Sequence, residues 1–190
     1  MARDVHRVVD GVRPDHIIVD HLAFSARLAL ASAGIPYGDV VLGHPSALTV
    51  GDEVYGFPPA WPRALRPDAE ALTELRKLCE KVRDTFTAQW NEALATLSPR
   101  ISATDDAFAE TGDTLLLNYP AQLHPSERTA LLGPHAFLGS AVRTEETDAD
   151  VEAWVEAGDA PIVYVSLGSF LSVRSDVLAR IAGKELDIAM

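Results

Sequence analysis

The chain has 190 residues and a formal net charge of −12, from 16 Lys and Arg against 28 Asp and Glu. Hydrophobic residues make up 47% and charged residues 23%, globular proportions that exclude a disordered chain and supply one domain, or one domain and a piece of another. The acidic balance without any Lys/Arg run argues against nucleic-acid binding, and the single cysteine, Cys79, excludes an intramolecular disulfide and speaks against a cysteine-based zinc site.

The N-terminus carries no apolar run of signal-peptide length, and no window approaches the ~20 apolar residues of a membrane span. A cytoplasmic protein with no integral membrane segment is expected. Val5, Val8, Val9 and Val12 recur at helical spacing, and Gly11 with Pro14 ends that helix. His16, Ile17, Ile18 and Val19 form a short apolar run, the pattern of a buried strand. In the next segment Leu22, Ala26, Ala29, Leu30 and Ala33 make one helical face, stopped by Gly34 and Pro36. Val40 to Leu42 reads as the following strand. Strand, helix and strand this close together form a βαβ unit, so the sheet is expected to be parallel.

Residues 43–67 break the pattern. Pro45, Pro58, Pro59, Pro62 and Pro67 interrupt any element, while Tyr55, Phe57 and Trp61 supply aromatics. Such a loop beyond a strand end is either a ligand-binding loop or a cover for the core. Residues 68–97 are the clearest helix, with Leu72, Leu75, Cys79, Val82, Phe86, Trp90, Leu94 and Leu97 at steps of three and four and Asp68 as N-cap. Cys79 lies on that apolar stripe and reads as a buried structural thiol. Strands follow at TLLLNYP (114–120) and, more weakly, HAFLG (135–139). An acidic linker at 143–152 leads to a short helix around Trp154. After Pro161 comes IVYVSLGS, a β-prone run, and then a helix over 172–182.

Asp20 ends a strand, where a carboxylate is placed to orient a histidine or bind a hydroxyl; capping the next helix is the alternative. Its neighbour His21 points another way along an extended chain, so the two are not automatically a dyad. The histidines show neither HxxxH nor HExxH spacing, so no metal site is expected. His44 and His124 follow strand-like segments, where they either line a cleft or lie at the surface. Gly168 and Ser169 form a strand–turn–helix junction suited to close backbone approach and phosphate binding. It is neither a Walker A loop nor a nucleophile elbow.

The order DHIIVDHLAFSARLALASAGIP, loop, long helix, LLLNYPAQLHP, acidic linker and PIVYVSLGSF resembles the inverting glycosyltransferases of family 1. These include the UDP-glycosyltransferases and the macrolide and antibiotic glycosyltransferases. The resemblance implies an α/β fold, a Rossmann-like parallel sheet with helices on both faces, forming part of a GT-B fold. It implies a partial acceptor-binding domain at 1–142, an interdomain linker at 143–160 and the first βα unit of a nucleotide-sugar-binding domain at 161–190. Asp20 would be the aspartate that orients the catalytic base, and Gly168 and Ser169 would lie near the donor phosphates. Tyr55, Phe57 and Trp61 would face a small-molecule acceptor. The donor would be a UDP- or dTDP-sugar used as co-substrate, with no other cofactor. The family's first strand with its catalytic histidine, and its His/Gly-rich donor signature, have no counterpart here, so no histidine of this chain is carried over as base. The chain thus resembles an internal, truncated part of such an enzyme, with oligomeric state open. Two other expectations stand beside it: a non-enzymatic α/β module that binds an apolar ligand or a partner protein, and an acyl-transfer hydrolase using Ser166 or Ser169.

Overall fold

The computed structural model describes residues 2–42, 48–61, 66–139 and 148–162, with positions 176 and 179. The chain divides into two compact units, Met1–Val142 and Arg143–Met190. The first is an α/β Rossmann-like unit. Its elements run α1 (Ala2–Val12), β1 (Ile18–Asp20), α2 (Phe24–Ala33), β2 (Gly38–Val41), α3 (Ala69–Leu97), β3 (Thr114–Leu117), a 3-10 turn (Ala121–Leu123), α4 (Ser126–Thr129) and β4 (His135–Phe137). The strands form one sheet in the order β1-β2-β3-β4, and every pair is parallel. Val19 pairs with Asp39, and Asp39 pairs with Leu115. In the second unit the described residues contain α5 (Ala149–Glu156), capped by Asp148, whose side chain accepts from the Asp150 and Val151 amides.

The helices end where local chemistry dictates. Gly34 adopts φ 65°, its N–H reaches the Ala31 carbonyl, and the Ile35 N–H reaches that of Leu30. This paired closure is the Schellman arrangement, and it needs a residue that tolerates the left-handed region. Asp68 caps α3 by accepting from the Ala71 amide at 2.8 Å. Gly11 does not stop α1, which runs on to Val12, and Arg13 turns the chain at φ 48°.

Burial alternates along both central strands. Asp39 and Val41 on β2, and Leu115 and Leu117 on β3, are buried, while their neighbours are half-buried. Val41, Leu48, Leu115, Leu117 and Tyr119 form the core, with Val50, Leu132 and Phe137 packed against it.

Several sequence expectations shift in detail. The 16–19 run does not form a buried strand: among the described residues β1 pairs with β2 alone, and Ile18 is 65% exposed. On α2 the inward residues are Arg27, Ala29, Leu30 and Ser32, whereas Leu22 precedes the helix and is exposed, as is Ala33. The inward face is not the stripe of small apolar residues alone, because a buried ion pair with Asp39 draws Arg27 inward. On α3, Val82 and Leu97 are exposed and Thr87 takes an inward place, because its hydroxyl accepts from the Ala107 amide. Cys79 is free and buried. The strand expected for IVYVSLGS falls, apart from Ile162, outside the described residues, with Ser166, Gly168 and Ser169, as do His44, Pro45 and Pro62. Of the expected helix at 172–182, positions 176 and 179 are described and helical.

Where the long β2–β3 crossover rejoins the sheet, the backbone approaches closely. A Cβ on Gly112 would lie 2.5 Å from the Tyr37 carbonyl oxygen. Gly112→Ala is therefore expected to destabilise the first unit by about 1–3 kcal/mol, the usual cost of overpacking. Urea denaturation of the variant beside wild type measures it.

Candidate functional site

In an open parallel sheet, ligands bind beyond the carboxyl ends of the strands. Asp20 and His21 leave β1 at that end, Leu42 leaves β2, Asn118 and Tyr119 leave β3, and Leu138 leaves β4. Backbone hydrogen bonds knit this edge: the His21 amide donates to Val40, Asn118 to Val41 and Leu138 to Leu117.

The two adjacent residues on β1 diverge. Asp20 Oδ1 accepts from the Leu22 amide at 2.8 Å, which fixes the turn before α2. It does not act as the N-cap of α2, a place held by Ala23 without a side-chain bond. Among the described residues Asp20 Oδ2 has no hydrogen-bond partner. His21 instead turns inward, 2% exposed, and its Nδ1 lies 3.0 Å from Asp39 Oδ2.

That aspartate belongs to a buried polar cluster. Asp39 and Arg27 are both fully buried, with Arg27 Nε 3.5 Å from Asp39 Oδ2. Arg27 Nη1 donates to the His21 carbonyl at 2.7 Å, and Nη2 donates to the Glu110 carbonyl. The Gly112 amide donates to Asp39 Oδ2 at 3.3 Å. A guanidinium only donates and a carboxylate oxygen accepts, so Asp39 Oδ2 is the acceptor that Arg27 and His21 Nδ1 face together. Burial pushes the Tyr37 phenol above its ordinary value, against the opposing pull of Arg27. Among the described residues Asp39 Oδ1 and Arg27 Nε are buried without hydrogen-bond partners. The cluster fixes the backbone beneath Asp20 through the Arg27–His21 carbonyl bond.

A second polar cluster ties down the chain that follows β2. Arg128 is 8% exposed and holds Glu53 in a fork, Nε to Oε1 at 2.7 Å and Nη2 to Oε2 at 2.6 Å. Nη2 also donates to the Leu48 carbonyl at 2.8 Å. Nη1 meets His124 Nε2 at 3.0 Å. Because a guanidinium only donates, Nε2 is bare and Nδ1 bears the proton, which faces Thr129 Oγ1 at 2.9 Å. Burial, then the Arg128 charge, holds His124 below its ordinary value. Burial of Glu53 acts to raise its carboxyl, but the Arg128 hydrogen bond and charge outweigh it and the net shift is downward.

Both shifts give the same sign of pH dependence. The neutral His124 and the ionised Glu53 are the folded forms. Their stabilisation is present above the ordinary values of 6.5 and 4.5 and is lost as pH falls through the lowered folded values. His124→Gln keeps an acceptor for Arg128 and does not titrate. The urea midpoint of wild type is expected to fall below that of His124→Gln progressively as pH drops under 6.5. Parallel curves across that range would count against the assignment.

The three aromatics predicted for the acceptor are all half-buried. Tyr55 stacks on Phe108 at 4.0 Å, and Phe108 stacks on Phe86 of α3 at 4.5 Å. Phe57 meets Trp61 edge-on at 6.3 Å and lies under the Arg76 guanidinium at 5.5 Å. Tyr55 is thus part of a core stack, while Phe57 and Trp61 form a separate pair beside α3.

Asp20 and His21 come to one strand end; Tyr55, Phe57 and Trp61 come to the loop after β2. Sequence reasoning did not assign Asp39, Arg27, Glu53 or Arg128. Two of these carried a signal, a lone charge inside an apolar run: Asp39 before Val40-Val41-Leu42, and Arg27 within a helix of small residues. Among the described residues no group of three or more His, Cys, Asp and Glu is arranged to hold a metal ion, and no helix is long and apolar enough to cross a membrane. No protein-family model and no curated protein matches the chain.

Proposed function

We propose that this chain forms the acceptor-side part of a glycosyltransferase that moves a sugar from a nucleotide-sugar donor to a hydroxyl of a small molecule. The observation that carries the reading is Asp20 at the carboxyl end of β1, with one carboxylate oxygen spent on the turn and the other without a hydrogen-bond partner among the described residues. In such a transfer the acceptor hydroxyl loses its proton as its oxygen attacks the anomeric carbon and the nucleoside diphosphate leaves. A carboxylate here orients the base and stabilises the cation that forms on it. The base is assigned to no histidine of this chain. His21 already faces Asp39, and His124 faces Arg128. Gly168 and Ser169 are proposed for the donor phosphates.

The test is acceptor binding by the whole chain, read by saturation-transfer NMR against hydroxylated aromatic and macrocyclic compounds. Binding that Asp20→Asn perturbs supports the reading, and transfer from a UDP- or dTDP-sugar is expected only when a base and further donor contacts are supplied by a longer chain. Absence of binding across the series, or turnover by the 190-residue chain alone, overturns it.

A second reading, an α/β module that binds an apolar ligand or a partner protein, is favoured by one feature. An aliphatic cleft of about 500 Å³ runs between α1, β1 and α2.

A further inference from the structure

The turn that Arg128 ties down carries a cost while it is closed. Residues 49–53 link two buried apolar anchors, Leu48 at 1% exposure and Val54 at 4%. Between them the Glu53 amide donates to the Val50 carbonyl at 3.3 Å, and the Val50 amide donates to Glu53 Oε2 at 3.2 Å. Among the described residues the Thr49 hydroxyl is buried without a hydrogen-bond partner. Opening the turn returns that hydroxyl to water, so the closed form depends on what holds Glu53 and Leu48. Arg128 holds both.

His124 decides whether Arg128 can do so. Its bare Nε2 accepts from Arg128 Nη1, and its Nδ1 faces Thr129 Oγ1. Protonation turns Nε2 into a second donor. Two N–H groups then point at each other, and two cations meet where His124 is 5% and Arg128 8% exposed. Rotating the ring gives no relief, since both nitrogens now donate. The charged acceptor of the cluster is Glu53, and Arg128 already occupies both its oxygens. The imidazolium therefore competes with Arg128 for Glu53.

The other groups around the ring do not offset this. On α4, Glu127 is exposed and takes the Ser126 hydroxyl. Beyond β3, Tyr119 stacks on His124 at 6.2 Å, and burial pushes its phenol up, so it stays neutral. On β4, Phe137 is apolar at 5.9 Å, and the charge of His135 opposes protonation of His124. Glu53 favours it, but through the same oxygens that hold Arg128.

We propose that His124 is a pH-sensitive switch: by taking up one proton on Nε2 it parts Arg128 from Glu53 and releases the 49–53 turn while the sheet stays folded. Leu48 and Val54 remain anchored on either side, so the release is local. A uniform loss of stability would free turn and sheet together, whereas this switch frees the turn first. The inference goes beyond glycosyl transfer and stands or falls independently of it.

The experiment is amide hydrogen exchange of the full chain from about pH 8 to about pH 5, expressed as protection relative to an unstructured chain. The Val50 and Glu53 amides report the turn. The Leu115 and Asn118 amides, bonded to Pro134 and Val41, report the sheet. Below the ordinary histidine value, one proton coupled to opening lowers protection by up to about tenfold per pH unit. Wild type is expected to lose protection on this scale in the turn and not in the sheet. His124→Gln is expected to hold the turn's protection constant, and His135→Gln to leave the wild-type pattern in place. In wild type the His124 ring, followed by NMR, is expected to take up its proton only as the turn opens, a reading that needs no variant. Turn protection independent of pH, or turn and sheet released together, overturns the proposal. So does pH dependence that persists in His124→Gln or vanishes in His135→Gln, or a His124 ring protonated while the turn keeps its protection.

Discussion

Asp39→Ala is expected to cost the first unit about 3–5 kcal/mol, the loss seen when one member of a buried ion pair is removed. Arg27 has no exposure, so water cannot replace the carboxylate, and its charge is left facing an apolar sheet. The same change strips His21 Nδ1 and the Gly112 amide of their acceptor. Domains of this size are stable by only about 5–15 kcal/mol, so the variant would be partly unfolded at ambient temperature or melt roughly 10 °C or more below wild type. The cost belongs to breaking the pair rather than to lacking it. Arg27→Met with Asp39→Ala removes both charges, and this double variant is expected to be more stable than Asp39→Ala alone. A double-mutant cycle by urea denaturation measures the difference, and additive losses would show that the two side chains do not act as a pair.

Arg128→Met is expected to cost about 2–3 kcal/mol, the scale of hydrogen bonds to charged partners. Methionine keeps much of the stem volume but leaves Glu53, the Leu48 carbonyl and His124 Nε2 without their donor. Glu53 retains 20% side-chain exposure, so water recovers part of its loss and the effect is smaller than at Asp39. The signature is local as well as global. Amide hydrogen exchange at Val50 and Glu53 is expected to quicken, since Arg128 holds this segment through both Glu53 and the Leu48 carbonyl. An exchange rate unchanged at these amides would place the clamp elsewhere.

Periodicity carried most of the fold. The αL glycine after α2, the Asp68 cap and the βαβ spacing are local signals, and local signals survive in one sequence. The sheet edge was not local: an apolar run reads the same in a central strand and in β1, and only the strand order separates them. The polar clusters were legible as anomalies but not as partners. Arg27 and Asp39 are each an unexpected charge in apolar surroundings, yet nothing in their spacing says that one faces the other across a helix and a strand. Glu53 and Arg128 lie farther apart still. Asp20 could be singled out because it ends a strand, whereas the sequence pattern of Tyr55, Phe57 and Trp61 could not separate the stack on Phe108 from the pair beside Arg76.

The reach of Arg27 and Asp39 has a consequence for the order of folding. Both lie in the β1-α2-β2 segment, whose contacts close over short loops and form early. Their partners Glu110 and Gly112 lie at the far end of the crossover that contains α3. The ion pair is therefore expected to form within the first half of the chain before the second half docks on it. β3 pairs with β2 beside the Gly112 backbone, and this long-range closure of the sheet is expected to be the slow step of folding. Changes that weaken Gly112 should then slow refolding, while changes on the exposed side of α1 should leave the refolding rate alone and act on unfolding.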